Sequence, residues 1–394
     1  MPSGTLQVYT ALAENAAPLP GVTVLVLNEA GTQIARLTTN DVGSAPELVL
    51  TAPDEAYSLD EANTTVRPYA VYQLRAEMTG FQTIELEGVQ VFAGHQTVAR
   101  LQFLPAARTL PEVEPETIPE HPLFAGNGGS GPAPIGRCAD ARVLSEVVVP
   151  KKITVHLARP AVSAANVTVS FQDYIANVAS SEVYPTWPEQ ALRANILAQI
   201  SLALNRIWTE WYPSRGYSFN ITNSPGVDQA YVRGRTVFAV MERLTAELFN
   251  TYVRRTGDTE PYYTEYCDGK SVTCPGMKQW GTVDRAKEGK SALEILRYYY
   301  GSRVQLVTTN NIASIPQSYP GSPLRRGSTG TAVNVLQKQL SRIAKDYPSF
   351  GKPAITGTFD EATENSVKKF QKQFSLTVDL SLIHISEPTR LRRI

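Results

Sequence analysis

The chain has 394 residues, of which 42% are hydrophobic and 19% are charged, and its 37 basic residues balance its 37 acidic residues. This length allows about two to four domains. The zero formal net charge gives no electrostatic reason to expect a nucleic-acid or anionic-membrane partner. No apolar run approaches the ~18–20 residues of a membrane span, and the N-terminal segment lacks the basic and apolar regions of a signal peptide.

Residues 1–105 are predicted to form an all-β sandwich, because short β-rich runs alternate with turn residues. The runs are Gly21–Asn28, Ile34–Asn40, Ala70–Met78, Phe81–Phe92 and Gln96–Leu104. The motif P-L-P-G-V-T-V at Pro18–Val24, the turn at Thr38–Gly43 and Y-x-L-R-A-E-M-x-G-F at Tyr72–Phe81 resemble the prealbumin-like, carboxypeptidase-regulatory-type sandwich. This resemblance implies a module that spaces or presents its neighbours.

Residues 106–145 are predicted to form a linker. Prolines recur between Pro111 and Pro134, and the run GNGGSG occupies Gly126–Gly131. Proline-rich chain is extended and glycine-rich chain is flexible. The two flanking domains are therefore expected to move independently.

The carboxylate of Glu182 lies where one helical pattern stops and a longer one begins. Apolar residues recur at helical spacing on both sides, and Pro185 and Pro188 break the chain between them. We therefore expect Glu182 at a rigid helix–turn–helix corner, flanked by Tyr184 and Trp187. Apolar surroundings would raise its pKa and let it hold a proton near neutral pH, as acid–base chemistry on a sugar bond requires. The alternative is a structural carboxylate that caps the following helix or forms an ion pair.

The rest of residues 146–312 is predicted to be α+β. It opens with the strand-like run Val147–Leu157. A third helix is predicted over roughly Val237–Arg254 and a last one near Ala286–Tyr300.

Two sequence blocks, spanning roughly residues 145–305, resemble the stage II sporulation protein D family, which includes the LytB-type amidase enhancers. The first block matches at Val169, Tyr174, Ala179, Ser180, Ser181, Glu182, Pro185, Trp187, Pro188, Glu189, Ala191, Leu192, Ala194 and Gln199. The second matches at Pro275, Gly276, Met277, Lys278, Gln279, Trp280, Gly281, Ala286, Gly289, Ile295, Leu296, Tyr298, Tyr299, Tyr300 and Gly301.

The resemblance implies a lytic transglycosylase that cuts peptidoglycan glycan strands, with Glu182 as the catalytic acid. One carboxyl would protonate the glycosidic oxygen and then act as base while the sugar's own 6-hydroxyl closes an anhydro ring, unlike the two-carboxylate glycosidases. The substrate-binding residues would be Tyr184, Trp187, Asp228, Gln229, Tyr231, Gln279 and Trp280. For the aromatic residues among them, core packing is the alternative.

The chain departs from the family where many members carry histidines, one of them implicated in metal binding. The corresponding stretches here are Tyr266–Gly269 and Thr273–Met277, which contain Cys267 and Cys274. Zinc requires four donors, and His156 or Cys138 could join the pair only through folding. No cofactor is certain: zinc at Cys267 and Cys274, a disulfide and two structural thiols all remain open.

Residues 318–379 resemble the type 1 peptidoglycan-binding domain, a small three-helix bundle. The motif L-R-x-G-S-x-G-x-x-V-x-x-L-Q-x-x-L begins at Leu324, and I-T-G-x-F-D-x-x-T-x-x-x-V-K-x-F-Q begins at Ile355. The third segment expected after Asp379 is replaced by residues 380–394, whose start, LSLIHISEPTR, is the translation of a sequencing adapter. The helical bundle is therefore expected to be incomplete, which weakens an already small core.

The sequence thus predicts a modular peptidoglycan protein: an all-β sandwich, an α+β catalytic-type domain and an incomplete helical bundle. The first hypothesis for its function is a lytic transglycosylase. The alternatives are a non-catalytic peptidoglycan-binding scaffold or stimulator of a partner amidase, and a structural protein that reuses the fold for adhesion. A cell-envelope or spore mother-cell location is expected.

Overall fold

The structure, a computed structural model, describes residues 1–106, 115–125, 147–315, 324–345, 347–373 and 378. Most of the predicted linker, with Cys138, and the adapter-like residues 380–394 lie outside the described residues. The strands are β1 (Ser3–Leu12), β2 (Thr23–Asn28), β3 (Gln33–Thr38), β4 (Leu48–Thr51), β5 (Ala70–Glu77), β6 (Ile84–Val91), β7 (Gln96–Phe103), β8 (Glu116–Thr117), β9 (Val149–Pro150), β10 (Lys152–His156), β11 (Asn166–Ser170), β12 (Ile221–Thr222), β13 (Val237–Phe238), β14 (Thr251–Arg255), β15 (Tyr266–Cys267), β16 (Met277–Lys278), β17 (Val304–Thr308) and β18 (Ile312–Ala313). The helices are α1 (Ala56–Leu59), α2 (Pro122–Ala125), α3 (Phe171–Glu182), α4 (Glu189–Trp208), α5 (Ala239–Leu248), α6 (Gln279–Lys287), α7 (Ala292–Tyr300), α8 (Thr331–Ile343) and α9 (Glu361–Gln373).

The N-terminal region is β-rich, as predicted, and consists of two sheets. One has the strand order β3-β2-β5-β6-β8 and the other contains β4, β1 and β7. Alternate residues of β2 and β5 face a common apolar core, the period expected of half-buried strands. The sequence prediction omitted β1 and β4, although β1 pairs with β7 over its last eight residues, from Thr5↔Gln96 to Leu12↔Phe103.

In this structure the sandwich pairs directly with the central domain, although the linker was predicted to let the two move independently. Strand β13 of the central domain pairs antiparallel with β7, with Val237 opposite Val98, and so extends a sheet of the sandwich. Part of the predicted linker is also packed: β8 pairs with β6, and His121 is fully buried. The two regions therefore share a sheet as well as a surface.

The side chain of Phe92 extends the hydrophobic core of the central domain into the sandwich. It is fully buried, and its ring lies 5.2 Å from Tyr69 of the sandwich, 5.4 Å from Tyr184 and 5.2 Å from Phe238. Aromatic rings at these separations pack favourably beyond the area they bury. The contact explains why the central core continues into the sandwich.

The central domain is built around α4, whose twenty residues are buried on nearly every side. Helices α3, α5, α6 and α7 and strand β14 pack against it. The predicted helix Val237–Arg254 is correct only over α5, because Thr251–Arg255 forms β14 and pairs with β17. The region of the predicted last helix contains two helices, because α6 ends before Gly289 and α7 starts after Ser291. The Ser291 side chain accepts a hydrogen bond from Glu294 N, and the Glu294 side chain accepts one from Ser291 N, which forms a capping box.

The C-terminal region is helical, as predicted. Helices α8 and α9 and a short 3₁₀ turn at Pro348–Phe350 surround a small apolar core. Its buried members are Leu324, Val333, Leu336, Leu340, Phe350, Phe359, Val367 and Phe370. None of the helices in the described part of the chain combines the length and apolar character that crossing a membrane requires.

Replacing Phe92 by Ala tests the shared core. We expect the free energy of unfolding to fall by ~3–5 kcal/mol, the usual cost of truncating a buried Phe. All four tryptophans lie between residues 187 and 280, so tryptophan fluorescence during urea unfolding reports on the central domain. Val42→Ala, at a side chain that is 68% exposed, is the control. An unchanged tryptophan transition in Phe92→Ala would show that the two regions unfold separately.

Candidate active site

The helical corner predicted around Glu182 is present. Helix α3 starts at Phe171, where the Ser170 side chain accepts a hydrogen bond from Asp173 N at 3.0 Å, and ends at Glu182. Val183 is extended, and α4 begins directly after Pro188. Glu182 is therefore held by the end of one buried helix facing the middle of another.

The carboxylate of Glu182 is held by neutral donors. Ala230 N donates to Oε1 at 2.9 Å, and Gln199 Nε2 donates to Oε2 at 2.7 Å. Glu182 is only 8% exposed, and it forms no ion pair with any described residue. Burial raises the pKa of Glu182 to about 7, against the lowering effect of hydrogen bonds from Ala230, Tyr266 and Gln199. The alternative prediction, that Glu182 is a structural carboxylate in an ion pair, is therefore wrong for the described residues.

A second layer of hydrogen bonds fixes these donors. Gln229 Nε2 donates to Tyr266 Oη at 2.9 Å and to the carbonyl of Gln199 at 3.1 Å. Tyr174 Oη donates to Gln229 Oε1 at 2.9 Å. From the sequence, Tyr174 and Gln199 were only parts of a matching block, and Tyr266 was a candidate for sugar stacking with core packing as the alternative; in the structure its side chain is buried in this network. Only the meeting of four distant chain segments brings them together.

The aromatic residues predicted to stack on sugar are in the interior. Tyr184, Trp187 and Trp280 are 2%, 2% and 5% exposed. The rings of Trp187 and Trp280 lie 4.9 Å apart, and Trp187 Nε1 donates to the carbonyl of Ser58 in the sandwich at 3.2 Å. Tyr184 and Trp187 contact the sandwich, and Trp280 packs against both of them, so the three rings offer no face to a glycan.

The predicted groove residues are buried as well. Asp228 accepts from Arg206 Nε at 2.7 Å, from Thr222 N and Oγ1 at 2.9 and 2.7 Å, and from Tyr212 Oη. Tyr231 is 7% exposed and stacks on Tyr174 at 5.7 Å between ring centres. The remaining two, Gln229 and Gln279, are 0% and 5% exposed. These side chains position one another and the 228–230 loop instead of lining an open groove.

The two cysteines are joined by a disulfide, one of the three interpretations left open by the sequence. Cys267 and Cys274 have Cα atoms 6.1 Å apart and close a short loop around Asp268. A disulfide sulfur has no thiolate to offer to zinc, so the pair is not a zinc site in this form. Within the described residues no group of three or more His, Cys, Asp or Glu side chains is arranged to hold a metal ion. His156 instead bonds Asn166 and the carbonyl of Val162.

The disulfide holds the strand that carries Tyr266 beside Glu182. We expect the double variant Cys267→Ser/Cys274→Ser to lose about 2–3 kcal/mol of stability, the loop-entropy value for a closed loop of this size. Denaturant unfolding measures the loss, and a mass increase of about 2 Da on reduction of the native protein checks the bond itself. Cys138→Ser is the control. A double variant as stable as the control would contradict this role.

Glu182 should make stability depend on pH. Its folded pKa of about 7 lies above the ordinary 4.5. Between these two values the folded state keeps a proton that the unfolded state has released, so the free energy of unfolding falls as pH rises through this window, by on the order of 3 kcal/mol. Glu182→Gln removes this titration. Urea unfolding at pH 4.5 and 8 should therefore show a steeper fall for the parent chain than for the variant, and parallel pH profiles would refute the raised pKa.

One family model matches the chain: residues 329–379 match the domain described as "Putative peptidoglycan binding domain". This match confirms the predicted module over those residues and supports binding to the cell wall with peptidoglycan as a partner. The likenesses of the central domain to the sporulation protein D family and of the sandwich to prealbumin-like modules stay predictions.

Three solved structures are similar to about a quarter of the chain each. The Bacillus anthracis TIE protein is 17% identical over 26% of this chain and 18% of its own, with a TM-score of 0.19. The major pilin subunit BcpA of Bacillus cereus is 12% identical over 25% and 28%, with a TM-score of 0.17. Sea bream transthyretin is 19% identical over 28% and 98%, with a TM-score of 0.15. TM-scores this low support no conclusion about the whole chain, which spans well under half of the first two proteins. No curated protein matches the sequence.

Proposed function

We propose that the protein binds peptidoglycan and cleaves its glycan strands as a lytic transglycosylase, with Glu182 as the single acid and base. The observation that carries the proposal is a carboxyl buried without a counter-ion and held by neutral donors, with a pKa of about 7. Such a carboxyl exists in both protonation states near neutral pH, which is the property required of a group that first donates and then accepts a proton.

The surroundings of Glu182 suit both protonation states. Gln199 donates to it through Nε2, while Gln199 Oε1 is buried and has no partner among the described residues. The two ends of an amide exchange by a half-turn. After that turn Oε1 would face Glu182 Oε2, where the carboxylic acid O–H donates to it. Gln199 can therefore keep a hydrogen bond to Glu182 Oε2 in either protonation state of the carboxyl.

A single carboxyl is sufficient for the proposed reaction. Protonation of the glycosidic oxygen by Glu182 releases the leaving sugar, and the resulting carboxylate then takes the proton of the 6-hydroxyl as that oxygen bonds to the anomeric carbon. The buried carboxylate of Asp228, two residues before Ala230, is committed to Arg206 and three further donors. It is therefore unsuited to the second role that hydrolytic glycosidases require.

A second candidate function is supported by the burial of the residues expected to touch substrate. Tyr184 and Trp187 contact the sandwich, Trp280 is buried behind them, and Glu182 itself is 8% exposed. A protein that binds peptidoglycan through residues 329–379 without cleaving it, as a scaffold or a stimulator of a partner amidase, needs no open groove beside Glu182. The enzyme would release glycan fragments from peptidoglycan, whereas the scaffold would bind it without releasing any.

Peptidoglycan stripped of stem peptides distinguishes them. The full chain should release fragments with 1,6-anhydromuramyl ends, detected by mass spectrometry. Glu182→Gln should lower the rate ~100-fold or more, because the acid is lost, while Glu288→Gln, at an exposed carboxylate, should not. The rate should fall above about pH 7 as Glu182 loses its proton. Retained binding to peptidoglycan without anhydro products would refute the enzyme and favour the scaffold.

A further inference from the structure

A cleft of about 660 Å³ lies on the central domain between β10, the C-terminal end of α4 and the loop of residues 213–220. This volume is typical of sites for small ligands, which occupy roughly 300–1,000 Å³. Neither Glu182 nor its hydrogen-bond partners Gln199 and Ala230 line it. The cleft is thus separate from the candidate acid.

Main-chain pairing builds the two walls of the cleft. Strands β9 and β18 pair in parallel, and Lys151 N donates to the carbonyl of Ala313 at 3.0 Å, which sets Lys151 and Lys152 beside Ser314. On the other wall Thr154 N donates to Asn220 Oδ1 and Asn220 N donates to the carbonyl of Thr154, both at 2.9 Å. The polar lining is therefore fixed by backbone bonds.

The loop wall of the cleft is aromatic. Tyr217 and Phe219 lie 5.0 Å apart, and Phe219 is stacked on His156 at 4.5 Å. Phe219 is buried, whereas Tyr217 is half-buried and so keeps part of its ring open to the cleft. An aromatic face beside hydroxyl and amide groups matches a sugar ring, which has one apolar face and polar edges.

The charges of the cleft favour an anion. Lys151 and Lys152 are exposed, and neither forms an ion pair within the described residues. The third cation, Arg206, is already paired with Asp228, and Glu210 is the one carboxylate among the lining residues, with 3% exposure. The two lysines at the rim are therefore the charges open to a ligand.

The cleft lies near the Glu182 site, and a short stretch of chain separates it from the residues that match the peptidoglycan-binding domain. Ile315 lines it, and the peptidoglycan-binding match starts 14 positions later (329 − 315), a length that spans at most about 50 Å. Arg206 lies seven residues beyond Gln199 on α4, about 10 Å along the helix. Asp228, its partner, is two residues from Ala230, which donates to Glu182.

We propose that this cleft binds a carboxylate-bearing saccharide of the peptidoglycan strand. The aromatic wall takes the sugar ring, and Lys151 and Lys152 take the carboxylate. That carboxylate belongs either to the lactyl group of a muramyl residue or to an attached stem peptide. The inference rests on the proposed function and deepens it, since it names the part of the substrate held beside Glu182.

Binding is measured on the full chain carrying Glu182→Gln, so that no probe is cleaved. The probes are muramyl-containing glycan oligomers without stem peptides, the same oligomers with them, and neutral N-acetylglucosamine tetramers. In calorimetric titration at low salt, Lys151→Gln/Lys152→Gln should bind the acidic oligomers about tenfold more weakly, since each exposed charge pair contributes up to about 1 kcal/mol. Binding of the neutral tetramer should not change.

Lys287→Gln/Lys290→Gln is the matched control, because it removes the same charge from exposed lysines on α6 and the α6–α7 turn. Any binding by residues 329–379 is common to both double variants and cancels. A loss confined to the stem-free oligomer identifies the lactyl carboxylate, because an attached stem peptide converts that carboxyl into an amide. A loss confined to the stem-bearing oligomer identifies a carboxylate of the peptide, and a loss for both shows that the lysines accept either carboxylate. Equal affinities in the two double variants would overturn the proposal. A selective loss without cleavage by the parent chain would sustain the cleft and refute the enzyme.

Discussion

The burial of Glu182 without a counter-ion is the constraint on which the site depends. A charged carboxylate in an apolar interior is costly unless it is paired or protonated. Here Ala230 and Gln199 donate to it, and neither carries charge. Those donors must in turn be held in place. Gln229 does so by donating hydrogen bonds to Tyr266 and to the carbonyl of Gln199 in α4. One unpaired carboxyl therefore requires four chain segments to meet.

The sandwich belongs to this architecture as a fixed part. Its strand β7 pairs with β13 of the central domain, and its Phe92 packs against Tyr184 and Phe238. It also covers the side of the site where Trp187 lies. In the proposed function, a glycan strand would have to reach Glu182 from a side that the sandwich does not cover. The cleft beside Lys151 lies on the central domain next to the chain that leads to the peptidoglycan-binding residues. In the proposed function, the glycan would pass along that side.

The sequence predicted what depends on local pattern. The apolar stripes and two prolines located α3, α4 and the Glu182 corner, and β-rich runs located β2, β5 and β7. It failed where distant contacts decide. Thr251–Arg255 looked helical by spacing but is held as a strand by β17. Trp187 and Trp280 were predicted to stack on sugar because no local signal shows that both are buried where the sandwich meets Trp187. The Asp228–Arg206 pair likewise joins residues 22 positions apart.

The most direct test of the central claim is the titration of Glu182 itself. Carbon-13 NMR of the side-chain carboxyls in the glutamate-labelled full chain would follow each group with pH, and the signal absent from Glu182→Gln identifies residue 182. The account predicts a midpoint near 7, the pKa that burial imposes. A midpoint near the ordinary 4.5 would show a carboxylate that is charged at neutral pH, and the proposed acid would be lost.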